Sequence, residues 1–95
     1  MTIYDLEFLP SARKEWDKLG TAAQRQFAKK LRERLHNPRV PSARLRDMAD
    51  CYKIKLRKSG YRLVYRVLDE RIIVQVIAIG KREHEEAYRA AAKRL

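Results

Sequence analysis

One cysteine, two histidines, three glycines and three prolines are all that this 95-residue chain holds of the residue types that most often announce a staple, a metal site or a turn-rich scaffold. With Cys51 alone, no disulfide forms within the chain. No Cys/His spacing fits a zinc site, so neither a metal nor any other cofactor is expected. Small secreted domains usually depend on disulfides, which makes the cytoplasm the expected compartment. No apolar run approaches the roughly 18 residues that span a bilayer. The opening Met1-Thr-Ile-Tyr-Asp-Leu-Glu7 lacks a basic stretch followed by an apolar one, so no signal peptide is expected. Acidic residues are scarce as well: 12 stand against 23 Lys and Arg, for a formal net charge of +11.

What is present fits one small domain over residues 1–95. The 45% hydrophobic and 37% charged residues suit a single modest core and argue against disorder. The excess of positive charge calls for a polyanionic partner. Nucleic acid ranks ahead of a membrane surface, because the basic residues concentrate on strands instead of an amphipathic helix.

Residues 3–9 alternate as a strand, with Tyr4, Leu6 and Phe8 opposite in face to Asp5 and Glu7. Pro10 suits the first position of a helix in which Ala12, Trp16 and Leu19 share a face. Gly20 stops it and Thr21 is placed to cap the next, whose stripe Phe27, Leu31 and Leu35 runs to Asn37-Pro38. Residues 39–50 have no period and read as a loop carrying Arg39, Arg44 and Arg46. Strands are expected near 51–58, 61–68 and 71–79, the last apolar on both faces like a central strand and closed by Gly80. A final helix from residue 83 to about 94 places acids in its first turn and Lys93 and Arg94 in its last, complementing the helix dipole. The predicted fold is α+β: a mostly antiparallel four-stranded sheet with an N-terminal helical hairpin and a C-terminal helix.

The two strands from residue 51 to 66 carry the most information. Lys53, Lys55 and Arg57 fall on one face of the first, with Tyr52, Ile54 and Leu56 on the other. In the second, Arg62 and Arg66 alternate with apolar residues. A two-residue turn at Ser59-Gly60 would set Arg57 opposite Arg62 and Lys53 opposite Arg66. Continuing into the next strand would set Arg62 opposite Ile77 and Val64 opposite Gln75. Like charges directly opposite destabilise a sheet by a few tenths to about 1 kcal/mol per pair. Such a row makes sense with an anion bound over it.

Lys53, Lys55 and Arg62 can hold one phosphate and stabilise charge that builds on it, Arg by a planar fork and Lys by a mobile point charge. In RNA cleavage the 2′-hydroxyl attacks the adjacent phosphorus and the 5′-oxygen leaves. The basic strands contain no His, Asp or Glu to move those protons. Lys81 and Arg82 follow the central strand, and His84 and Tyr88 lie four apart on the last helix. Tyr88 reads equally as a seal between helix and sheet and as a base among cations; Lys53 and Lys55 are rival bases. His84 reads best as an exposed helix residue and Cys51 as a small core or edge residue.

At these residues the chain resembles the RelE family of toxins from bacterial and archaeal toxin–antitoxin modules. The likeness runs through Lys14-Glu-Trp-Asp-Lys-Leu-Gly20, Asp50-Cys-Tyr-Lys-Ile-Lys-Leu-Arg57, Ser59-Gly-Tyr-Arg-Leu-Val-Tyr65 and Gly80-Lys-Arg-Glu83. The resemblance implies a compact α/β fold and an mRNA endonuclease that cuts in the A site of the 70S ribosome, contacting ribosomal RNA. It implies that Lys53, Lys55 and Arg62 bind phosphate and stabilise the transition state. It implies further that Arg82 serves the leaving group and that Tyr88 orients the substrate or helps activate the 2′-hydroxyl. Arg44, Arg46, Arg57, Lys58, Arg66 and Lys81 make up the expected RNA- and ribosome-binding set. A RelB-like antitoxin is the implied protein partner, and no membrane is involved. His84 departs from those relatives that use a Glu/His pair, and it is not read as the base. Leu9 departs from the better helix cap of relatives, which bears on stability and not on activity. Two other readings remain: a ParE-like toxin that shares the fold and poisons DNA gyrase, and a non-catalytic RNA-binding module.

Overall fold

The computed structural model describes residues 2–95, apart from the side chain of His84, so the reading of that residue lies outside the described residues. The chain runs β1 (Asp5–Phe8), α1 (Pro10–Asp17), α2 (Thr21–His36), β2 (Cys51–Lys55), β3 (Tyr61–Leu68), β4 (Ile73–Lys81) and α3 (Glu86–Arg94), with short 3-10 turns at Pro41–Ala43 and Glu83–Glu85. The strands lie in the order β1-β4-β3-β2. The three C-terminal strands pair antiparallel, and β1 pairs parallel with β4, so the sheet is mixed, with one parallel pair. β4 is central, as its apolar faces require.

Each face of the sheet has its own core. On one, Ala12, Ala23, Phe27 and Leu31 from the first two helices pack on Tyr52, Ile54, Leu63, Tyr65, Val74 and Val76. On the other, Ala87 and Ala91 of α3 pack on Cys51, Val64, Ile77 and Ala78. Burying a side chain such as Phe27 or Leu31 stabilises the fold by about 1.5–3 kcal/mol each. Pro10 occupies the first turn of α1, where its missing N–H is harmless. Gly20, instead of the expected Thr21, is the N-cap of α2, and neither helix gains a side-chain cap.

The register differs from the one predicted. β2 ends at Lys55, and the loop 57–60 closes on Leu56, whose N–H donates to Tyr61 O at 2.9 Å while Gly60 N–H donates to Leu56 O at 2.9 Å. A two-residue turn of the favoured type would need positive φ at Ser59, and only Gly60, at φ +77°, has it. The pairing therefore slips by two residues: Lys55 faces Arg62, Lys53 faces Val64 and Cys51 faces Arg66. A slip of two keeps every side chain on its predicted face.

The β3–β4 register changes more. Val64 faces Ala78 and Tyr65 faces Val76, leaving Ile77 without an opposite residue. This bulge turns Ile77 and Ala78 to the same face, where both meet α3. Arg62 consequently faces Gly80, not Ile77. β4 also continues past the expected stop at Gly80 to Lys81, and it starts at Ile73 because residues 69–72 form a turn in which Ile72 has φ +54°.

Candidate active site

β2 and β3 turn Lys53, Lys55 and Arg62 to the face that α3 covers only in part. Lys55 and Arg62 are direct cross-strand partners, and Lys53 stands two residues along the same edge strand. Lys55 is exposed, while Lys53 and Arg62 are half-buried. The Lys53 ammonium is the first cause that holds Lys55 below the ordinary lysine pKa, followed by partial desolvation and repulsion from Arg62. This is the electrostatic signature of cations gathered without an anion. Among the described residues, none of the three takes part in a salt bridge.

The open end of the sheet adds a second group. Arg82 N–H donates to Gly60 O at 2.7 Å, which ties the segment ahead of α3 to the β2–β3 loop. Arg57, Lys58, Lys81 and Arg82 line a cavity of about 160 Å³ there, with Glu83 as the acid at its rim. The start of α3 lies against β4: a Cβ built on Gly80 would sit 2.8 Å from Glu86 Cβ and 3.0 Å from Ala87 N. Gly80 is thus the one residue type that lets the helix approach so closely. At the other end of α3, Arg94 donates from Nη1 to Ile77 O and Glu15 Oε1, both at 2.8 Å, and from Nη2 to Glu15 Oε2 at 3.1 Å. So clamped, α3 holds Tyr88 half-buried against the Cys51, Val64 and Ile77 cluster. Cys51 is fully buried, and burial pushes its thiol up to about 11, which makes it inert packing.

Not every expected residue joins these groups. Arg66 faces Cys51 and lines a separate cavity of about 340 Å³ with Arg39, Asp50 and Asp69. Arg44 bridges to Tyr52 along the outer edge of β2, and it and Arg46 are exposed on the loop. Two residues of α2 escaped the sequence reading: Gln26 and Lys30 share a cleft of about 330 Å³ with Lys55, Arg57 and Lys58. Their spacing, continued by Arg34, is the signal that could have found them, since 26, 30 and 34 fall on one helical face. Arg34 reaches behind β2, donating from Nη1 to Lys53 O at 3.2 Å and to Tyr65 Oη at 2.9 Å. Among the described residues, no cluster of His, Cys, Asp and Glu has the makings of a metal site, and no helix is long and apolar enough to cross a membrane.

A family model described as the ParE toxin of the type II toxin–antitoxin system parDE matches residues 6–86. Over 92 residues the chain is 55% identical to the mRNA interferase toxin RelE of Escherichia coli strain K12, covering 97% of each chain. A mutant E. coli toxin RelE in the free state superposes with a TM-score of 0.92 at 53% identity, over 99% of both chains. A chain of the intact E. coli RelBE toxin–antitoxin complex matches at 0.82 and 56% identity, covering 85% of this chain and 99% of that one. The chain belongs to the RelE toxin family, within the RelE/ParE superfamily of type II toxin–antitoxin modules.

Proposed function

We propose that this chain is a ribosome-dependent mRNA endonuclease, the toxin of a toxin–antitoxin module, which inhibits translation by cutting mRNA in the ribosomal A site. The observation that carries the reading is the 55% identity, over 97% of both chains, to the mRNA interferase toxin RelE. The geometry supports a mechanism. The scissile phosphate lies over Lys53, Lys55 and Arg62, whose charges stabilise the extra negative charge that develops as the 2′-hydroxyl attacks phosphorus. Arg82, at the open end of the sheet, stabilises the departing 5′-oxygen by charge, since a guanidinium so rarely deprotonates; that oxygen takes its proton from water as the 2′-oxygen closes a cyclic phosphate. Tyr88 and Lys55 are the two groups suited to take the 2′-hydroxyl proton. The depressed pKa of Lys55 leaves more of it as free amine at a given pH. Arg57, Lys58 and Lys81 add backbone contacts beside Arg82, and Arg44 and Arg46 extend the basic surface outward; Arg66, expected in the same set, lies apart beside Asp50, Asp69 and Glu70. The ribosome supplies the substrate alignment that so small a site lacks. The protein partner is a RelB-like antitoxin, to which the charge of +11 is complementary, and the compartment is the cytoplasm.

The test is expression in a translation extract with the 5′ ends of the message mapped. Cuts inside A-site codons that require ribosomes are expected, and Arg82→Ala and Tyr88→Ala should remove them with ribosome binding retained. Comparing the pH profiles of Lys55→Met and Tyr88→Phe separates the two bases. The description of the matched family model favours one second reading, a ParE-like gyrase poison. Intact message together with blocked DNA supercoiling would replace the first reading with that one.

A further inference from the structure

Edge strands must satisfy the outward-pointing carbonyls that the sheet leaves over, and β2 is an edge strand of only five residues. On its outer side Cys51 O accepts from Leu45 N–H at 2.9 Å. The next outward carbonyl, Lys53 O, accepts from a side chain, the Nη1 of Arg34 in the last turn of α2. The same nitrogen donates to the hydroxyl of Tyr65 on β3, which in turn donates to Pro38 O at 2.6 Å. The guanidinium carbon lies 5.7 Å from the centre of the Tyr65 ring. One guanidinium therefore fastens α2, β2 and β3 together from the rear of the sheet, directly behind the lysine whose side chain projects from the front.

We infer that Arg34 is a positioning residue for the reaction: by holding the Lys53 main chain it fixes where the ammonium groups of Lys53 and Lys55 stand relative to Arg62. The inference rests on the proposed endonuclease activity. The physical ground is geometric. Lys53 and Lys55 have long, mobile stems, and their repulsion tends to spread them. Only a rigid main chain keeps their charges converged, and a misplacement of about 1 Å at a reacting centre can lower a rate roughly a hundredfold. Both bonds of Arg34 Nη1 go to groups of the sheet itself, Lys53 O and Tyr65 Oη, so its effect is read as support of β2, and the ribosome-binding Kd separates that from direct contact with RNA.

The experiment compares wild type, Arg34→Lys and Arg34→Ala in single-turnover cleavage on programmed ribosomes, with ribosome-binding Kd and hydrogen exchange of residues 51–55 measured in parallel. Arg34→Ala is expected to cut about tenfold to a hundredfold more slowly, with Kd within about twofold of wild type. Exchange should rise over β2 and stay unchanged over β4. Arg34→Lys keeps the charge one bond short of both acceptors and should fall between. An unchanged rate in Arg34→Ala overturns the inference, as does a loss of rate matched by faster exchange through the whole sheet. A wild type that fails to cut at all removes the proposed activity instead, an outcome the first arm reports separately.

Discussion

Lys55 and Arg62 stand directly opposite each other across β2 and β3, two cations at a cross-strand position that sheets normally give to attracting or apolar pairs. With Lys53 beside them, the principal cause of the depressed Lys55 pKa is a neighbouring ammonium, and desolvation comes second. Lys53→Met should therefore raise the Lys55 pKa toward the ordinary lysine value. Side-chain NMR titration reads this directly, and an unmoved Lys55 titration would mean that the two ammonium groups are not held together.

Gly80→Ala should loosen α3. The added methyl meets Glu86 Cβ at 2.8 Å and the main-chain nitrogen of Ala87 at 3.0 Å, and neither contact can be relieved by a rotamer, because both atoms are fixed by the backbone. Overpacking of this kind destabilises by about 1–3 kcal/mol. Urea unfolding should record that loss, and amides around Ala87 and Ala91 should exchange faster. Equal stability and equal protection would show that the helix has room to shift.

Tyr65→Phe removes a fully buried hydroxyl that donates to Pro38 O and accepts from Arg34. Pro38 O then loses its donor, while Arg34 Nη1 keeps only its bond to Lys53 O, with an expected loss of about 1–3 kcal/mol. Denaturant midpoints at equal slope test this. A neutral substitution would mean that water takes over both bonds.

The link between Tyr4 and Asp69 should make stability fall off at both pH extremes. Tyr4 Oη donates to Asp69 at 2.7 Å, and Arg39 reaches the other carboxylate oxygen at 2.6 Å. The tyrosine hydrogen bond, then Arg39, holds the Asp69 carboxyl below its ordinary 3.8, so its contribution is present above that value and lost as pH falls through the folded pKa. The hydrogen bond to Asp69 raises Tyr4 above its ordinary 10.0, so that contribution is present below 10.0 and lost as pH rises through the folded pKa. The melting-temperature difference between wild type and Tyr4→Phe should be level between these limits and shrink beyond each. A difference independent of pH would break the assignment.

The elements and faces of this fold were legible because alternation and four-residue spacing survive everything except an inserted residue. Lys53, Lys55 and Arg62 were assigned to one face correctly even though their partners were wrong, since the hairpin slipped by two. The loop itself was not legible: Ser59-Gly60 looks like a two-residue turn, and only the backbone angles reveal a four-residue one. Ile77 was equally hidden, because the run from Val76 to Ile79 is apolar throughout and carries no alternation to betray a bulge. Arg34 resembled any other charge on a helix until the structure brought it behind Lys53.

The bond from Arg82 N–H to Gly60 O joins main chain to main chain. Side-chain changes at 57–59 leave both of its atoms in place, so that loop is free to alter what it touches. Tyr61 pairs with Lys81 immediately beside this bond, so the β3–β4 ladder, not the loop, sets where Arg82 begins. A residue added at 57–59 would reshape the cations of the loop while Arg82 stays where it is.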